Sequence, residues 1–282
     1  MRVFIVSLLL SFCAAASDLD VAQKLYDRTD YQATLDVLKK SAESKTGPTW
    51  ELAGKAAYQL GDFKKSIEFF EKASQANPSK STYVNWLGRA WGRRAETANP
   101  FMAPGYASKA RQYFEQAVAL NPRDVEAVND LFSYYLEAPG FLGGGMDKAM
   151  NLAEQIRTND PAEYHFALAQ IAQRRKQYDL AEGQLRKAAE LAPKQVGRVL
   201  DLAKFLARRG KYGESETIFQ QAASVDPSSK RILFARAEAY IETNRNLDLA
   251  KKLLNEYIHA PLSPDDPSRD DARRLLKRVT AD

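Results

Sequence analysis

The stretch that decides the fold runs from Pro161 to Pro227: PAEYHFALAQIAQRRKQYDLAEGQLRKAAELAPKQVGRVLDLAKFLARRGKYGESETIFQQAASVDP. One pattern is written in it twice. Leu168-Ala169, Tyr178, Ala181, Leu185, Ala188 and Pro193 return as Leu202-Ala203, Tyr212, Ser215, Phe219, Ala222 and Pro227, each displaced by 34 residues. A period of this length, with small, large and proline positions at fixed offsets, predicts a stack of helix-turn-helix units. The small residues let two helices approach and the large ones fill the space beside them. Proline ends the second helix because it disfavours helical geometry in the residue before it.

Working outward, weaker copies occupy most of the chain. Trp50 to Pro78 contains Ala53-Gly54, Gly61-Asp62-Phe63, Ser66, Phe70 and Ala73, with Gly61 expected in the tight turn between helices. Asp20 to Ser41 is a degenerate first copy, with Thr34 where Ala is usual. A third unit has Val84, Leu87-Gly88 and Trp91, then Ala110, Phe114, Ala117 and Pro122; a fourth has Leu131, Tyr135, Ala149 and Pro161, with Ala153 and Ile156 departing from the usual large residue and Ala. The intervals Pro78–Pro122 and Pro122–Pro161 are 44 and 39 residues, so about ten and five residues are inserted between paired helices, at 97–106 and 138–146. The seventh unit has Leu233, Ala237, Tyr240, Ala250 and Leu254, with Tyr257 at a position that is usually small. Ser263–Asp270 reads as a linker. Asp270–Val279 reads as a last helix, apolar at Ala272, Leu275, Leu276 and Val279.

This pattern resembles the tetratricopeptide repeat over nearly all of residues 18–260. The resemblance implies an all-α fold, a right-handed α-solenoid of about seven helix-turn-helix units closed by a C-terminal capping helix. The expected organisation is a signal peptide at 1–16, the solenoid at 17–262, and a linker and capping helix at 263–282. The two insertions and the phrase from Leu87 to Glu96 resemble an exported bacterial branch of the family.

The ends and composition suit such a protein. Arg2, the apolar run Val3–Phe12 and Ala14-Ala15-Ala16 read as an export signal cleaved before Ser17. The run falls short of the roughly 20 apolar residues a membrane helix needs, so no transmembrane segment is expected in the mature chain, which is taken to be periplasmic or secreted. Cys13 is the only cysteine; lipid attachment there is disfavoured by Phe12 before it. Net charge is +5, and residues 174–211 hold 11 basic against 4 acidic side chains. Arg93-Arg94, Arg174-Arg175 and Arg208-Arg209 recur at the end of the first helix in three units. They read either as a cationic ladder or as cations placed to favour helix C-termini.

Little here points to chemistry. His165 and His259 do not make a metal-ligand pair, no cysteine is left in the mature chain, and no nucleophile motif precedes a helix. Gly143-Gly144-Gly145 has no preceding strand and no Gly-Lys-Ser/Thr end, so it reads as a flexible loop and not as a phosphate cradle. No cofactor and no catalytic residue are expected. The expected function is a non-catalytic scaffold that holds a protein or peptide partner. In the resembled family the first helix of each pair lines the concave groove, which makes Asn85, Trp86, Arg89, Arg93, Asn129, Ser133, Phe166, Gln170, Gln173, Arg174, Lys204 and Arg208 the candidate contacts. Asn and Gln can bond a peptide backbone, Arg can fork a carboxylate, and Trp is a frequent interface anchor. The alternative is an acidic peptide, anionic ligand or cell-envelope polymer held through a basic groove; an enzyme site at the inserted loops is the third reading. Nucleic acid is not expected as a partner. The carboxylate-clamp residues of chaperone-binding relatives are absent: Glu51, Lys55, Arg89, Glu126 and Asp130 stand among the matching places.

Overall fold

The computed structural model describes residues 17–41 and 45–280; the export-signal reading of residues 1–16 lies outside the described residues. Every described element is helical. Seven antiparallel pairs follow in order: α1 (Asp18–Asp27) with α2 (Tyr31–Lys40), α3 (Gly47–Gln59) with α4 (Phe63–Ala76), α5 (Ser81–Glu96) with α6 (Ala103–Leu120), α7 (Val125–Glu137) with α8 (Met146–Ile156), α9 (Pro161–Arg174) with α10 (Tyr178–Leu191), α11 (Val196–Arg208) with α12 (Tyr212–Val225), and α13 (Lys230–Glu242) with α14 (Leu247–His259). α15 (Arg269–Thr280) packs on α13 and α14 through Ala272 and Val279.

The repeated offsets show their purpose in the core. Phe70, Phe114, Leu185, Phe219 and Leu254, equivalent in five units, are all buried. Gly54 and Gly88 make room for two of these side chains. A Cβ on Gly54 would lie 2.6 Å from the Phe70 ring, and one on Gly88 would lie 2.5 Å from the Phe114 ring. Where the second helix carries Ser or Thr in place of Ala, the buried hydroxyl donates to the carbonyl twelve residues earlier on the first helix. Thr34 donates to Ala22, Ser66 to Gly54 and Ser215 to Ala203, so none is left unsatisfied.

The turn within a unit is the same in five places. Thr29, Gly61, Lys176, Gly210 and Asn244 all have φ between +52° and +77°. The next residue's amide then bonds five residues back, as in Asp62 to Ala57, Lys211 to Leu206 and Arg245 to Tyr240, which closes the helix C-terminus. Units three and four, with the insertions, depart from this turn.

The insertions are built differently from what their composition suggests. The residues at 97–106 do not form a ten-residue loop. α5 and α6 lengthen to 16 and 18 residues, against 13 and 14 for α3 and α4, and Ala103-Pro104 becomes the first turn of α6. Proline is tolerated there because the first amides of a helix have no intrahelical partner. Gly143-Gly144-Gly145 is a held turn and not a loose one. A Cβ on Gly144 would lie 1.8 Å from the Ala138 carbonyl oxygen, the Gly145 amide bonds the Tyr135 carbonyl at 2.8 Å, and the Tyr134 hydroxyl donates to Leu142.

The stack also turns back on itself. Arg269 at the start of α15 donates to the Thr29 hydroxyl in the first unit at 2.6 Å, and to the carbonyls of Ile258 and Ala260 at the end of α14. Tyr257 is fully buried and donates to the Pro267 carbonyl, which pins the linker. A large residue therefore stands at that usually small position because the linker, and not another repeat, covers it.

Candidate functional site

First helices touch first helices along the stack, α1 on α3, α3 on α5, α5 on α7 and α11 on α13. Their inner faces enclose a cavity of about 480 Å³. Tyr26, Lys55, Gln59, Asn85, Trp86 and Arg89 line it from three successive units; the N-terminus of α7 bounds it at Asp124–Glu126, and the linker contributes Pro264 and Asp265.

The candidate residues divide by what they already contact. Asn85 is 2% exposed; its Nδ2 donates to Asp130 at 2.7 Å, and its Oδ1 is buried without a partner. The indole of Trp86 stacks on Phe70 at 5.5 Å, meets Tyr58 edge-on at 5.2 Å and is covered by the Arg89 guanidinium at 4.7 Å. Arg89 Nε reaches Asp130 at 2.5 Å and Nη2 reaches Glu126 at 3.1 Å. Arg93 pairs with Glu96 on its own helix and lies over Phe63. Lys204 meets Glu238 at 3.1 Å and Arg208 meets Glu242 at 3.3 Å. Phe166 lies under Arg198 at 4.0 Å, and Arg198 pairs with Glu163 of the preceding unit. Asn129, Ser133, Gln170 and Gln173 are half-buried, and their side chains form no hydrogen bond with the described residues; Arg174 is exposed without a carboxylate partner among them.

The acidic half of the surface pairs with Arg198, Lys204 and Arg208 at one-repeat spacing. Glu238 and Glu242 stand 34 residues after Lys204 and Arg208, and Arg198 stands 35 after Glu163. Cations and carboxylates spaced by one repeat become neighbours on adjacent first helices. The basic groove of the alternative reading is thereby, at Lys204 and Arg208, a row of ion pairs. Burial lifts the Asp130 and Asp201 carboxyls above the usual range against the pull of Arg89 and of Arg198 and Lys204. Burial acts the same way on Glu51, but hydrogen bonds from Lys55 and Lys80 outweigh it and hold that carboxyl below the usual range. His165 is spent on a 2.6 Å hydrogen bond between its Nδ1 and Gln184.

Comparison with known proteins agrees with this architecture. The tetratricopeptide repeat family matches residues 47–80, 162–195 and 200–267. None of the curated proteins matches the chain. Among solved structures, a thermophilic tetratricopeptide repeat protein of Thermus thermophilus is similar at 22% identity and a TM-score of 0.54, over 67% of this chain and 97% of that one. A tetratricopeptide repeat protein of Parabacteroides merdae is similar at 12% identity and a TM-score of 0.59, over 93% and 97%. Human IFIT1, solved as a dimer with m7Gppp-AAAA, is similar at 17% identity and a TM-score of 0.56, over 94% of this chain and 62% of that one. At these identities the likeness concerns the fold. From its 34-residue period, its paired helices and these matches, the chain is a tetratricopeptide repeat protein, built on a fold that serves in general as a protein-interaction scaffold.

Proposed function

We propose that the concave face holds an extended segment of a partner protein, seated against the first helices of units one to three and the start of α7, and that on the export-signal reading of residues 1–16 it does so outside the cytoplasm. The observation that carries this is the 480 Å³ cavity, lined by the Trp86 indole and Arg89 on the inner faces of the first helices. Gln59 and Thr82 add neutral polar contacts at the same cavity. Because the stack is already formed, binding does not have to order the groove.

The anionic-polymer reading requires unpaired cations in the groove. Arg89, Lys204 and Arg208 each already face a carboxylate of the next unit, which favours recognition by hydrogen bonding and shape over net charge. Filling the cavity with Thr82→Trp should lower recovery of the native partner at least about tenfold, with an unchanged far-ultraviolet circular dichroism spectrum. Equal recovery of that partner by wild type and variant would refute the assignment.

A further inference from the structure

The turns within units form one rim of the solenoid, and the turns between units form the other. The two rims differ in chemistry. Phe101, Phe141 and Tyr178 are the exposed aromatic residues among the described residues, and all three lie on the within-unit rim. Phe101 and Phe141 are 96% and 81% exposed, at the tips of the two inserted segments. The second segment packs on the helix that follows the first, with Gly143 against Arg111 of α6.

Several cations on this rim lack the ion pairs of the groove, with Glu137, Asp147 and Asp179 interspersed among them. Arg174 and Lys176 have no ion-pair partner among the described residues, and Arg175 donates to the Met146 sulfur at 2.9 Å, next to the Gly143–Gly145 turn. Others are propped on rings: Arg94 on Tyr106 at 4.6 Å, Lys148 on Tyr135 at 5.1 Å and Arg245 on Tyr212 at 3.8 Å. A ring holds the side chain in place without cancelling its charge. On the opposite rim Lys39, Lys40, Arg123, Lys194, Lys230 and Arg231 are interspersed with Asp124, Asp160 and Asp226, and no aromatic residue is exposed among the described residues.

We propose that the within-unit rim, from the Phe101 tip to the Arg174–Lys176 turn, docks on the surface of an anionic phospholipid bilayer. Phenylalanines on two separate loops need a partner soft enough to admit each ring, which a bilayer interface is, and the cations match its headgroups. Among the described residues no helix is long and apolar enough to cross a membrane, so this contact is peripheral.

The test uses the full chain with Cys13→Ser, carrying an environment-sensitive fluorophore on Phe101→Cys or, on the opposite rim, on Ser228→Cys. Phosphatidylglycerol-containing vesicles should shift the Phe101→Cys emission to the blue and leave Ser228→Cys unchanged. Arg174→Glu with Lys176→Glu should weaken that response at least about tenfold, since each surface cation contributes roughly fivefold in partition. Any of three results would overturn the proposal: no shift at Phe101→Cys, an equal shift at both rims, or a shift that survives the charge reversal. Binding of soluble polyglutamate without a vesicle response would assign the rim to an acidic protein and also overturn it.

Discussion

Gly88 and Gly92 sit one turn apart on α5, and their replacement by alanine should have opposite signs. In a helix interior either change gains about 1 kcal/mol of propensity. At Gly92 the new Cβ would meet only the Ala110 methyl, at an ordinary 3.9 Å. At Gly88 it would lie 2.5 Å from two carbons of the Phe114 ring and 3.0 Å from a third, so the ring must move by about 1 Å. Phe114 is only 7% exposed and belongs to the core shared by units two to five, where overpacking costs about 1–3 kcal/mol. Gly92→Ala should therefore stabilise the protein by about 1 kcal/mol. Gly88→Ala should be neutral to destabilising by about 2 kcal/mol, a separation of about 1–3 kcal/mol. Urea unfolding followed through Trp86 and Trp91 on the same helix reads the difference as a shift in midpoint at constant slope. If Gly88→Ala raises the midpoint as much as Gly92→Ala, close approach is not what selects glycine at this position, and the packing account of the repeat is wrong.

Three further outcomes follow from the geometry. Lys176→Gly should stabilise by a few tenths to about 1 kcal/mol, because a left-handed lysine at φ 59° gives way to the residue that Gly61 and Gly210 supply in the equivalent turns; an unchanged thermal midpoint would contradict this. Glu51→Gln should be destabilising at neutral pH and converge on wild type in acid. The Glu51 carboxyl is held below its unfolded value, so its contribution is present above about pH 4.3 and is lost as pH falls through the folded value; a constant difference between the two stability curves from about pH 3 to about pH 7 would exclude it. Arg269→Ala should release the contact between the first and last units and raise the radius of gyration in small-angle scattering, with faster amide exchange in α1. An unchanged scattering curve would mean that the closure does not depend on this side chain.

Much of this molecule is written in its period. The offsets of Gly54, Ser66, Phe70 and Ala73 locate two helices, their close approach and their shared core. The same rule fails at residues 97–106, because Pro and Gly in series read as loop, whereas proline in a first turn is compatible with helix. The ion pairs are legible in the sequence once acids are read together with cations. Lys204 with Glu238 and Arg208 with Glu242 obey the 34-residue spacing as strictly as the core does, but cations considered without acids one period away look like a ladder. The contact of Arg269 with Thr29 is not legible, since it depends on small rotations between units accumulated over seven of them.

Pairing charge at one-repeat spacing has a consequence for how the two surfaces can work. Inside the groove, each cation of these pairs is satisfied before any ligand arrives. A partner there gains little from opposite charge and would lose by displacing Asp130 from Arg89, where the freed guanidinium would stand half-buried. Binding in the groove should thus depend weakly on ionic strength. The rim is built the other way. Arg174, Lys176 and Arg245 are exposed and without carboxylate partners among the described residues, so attraction there must weaken as the screening length falls from about 10 Å at 0.1 M salt to about 3 Å at 1 M. Salt should strip the protein from an anionic surface while leaving a groove-bound segment in place, and a partner lost in step with the membrane contact would place both on the same surface.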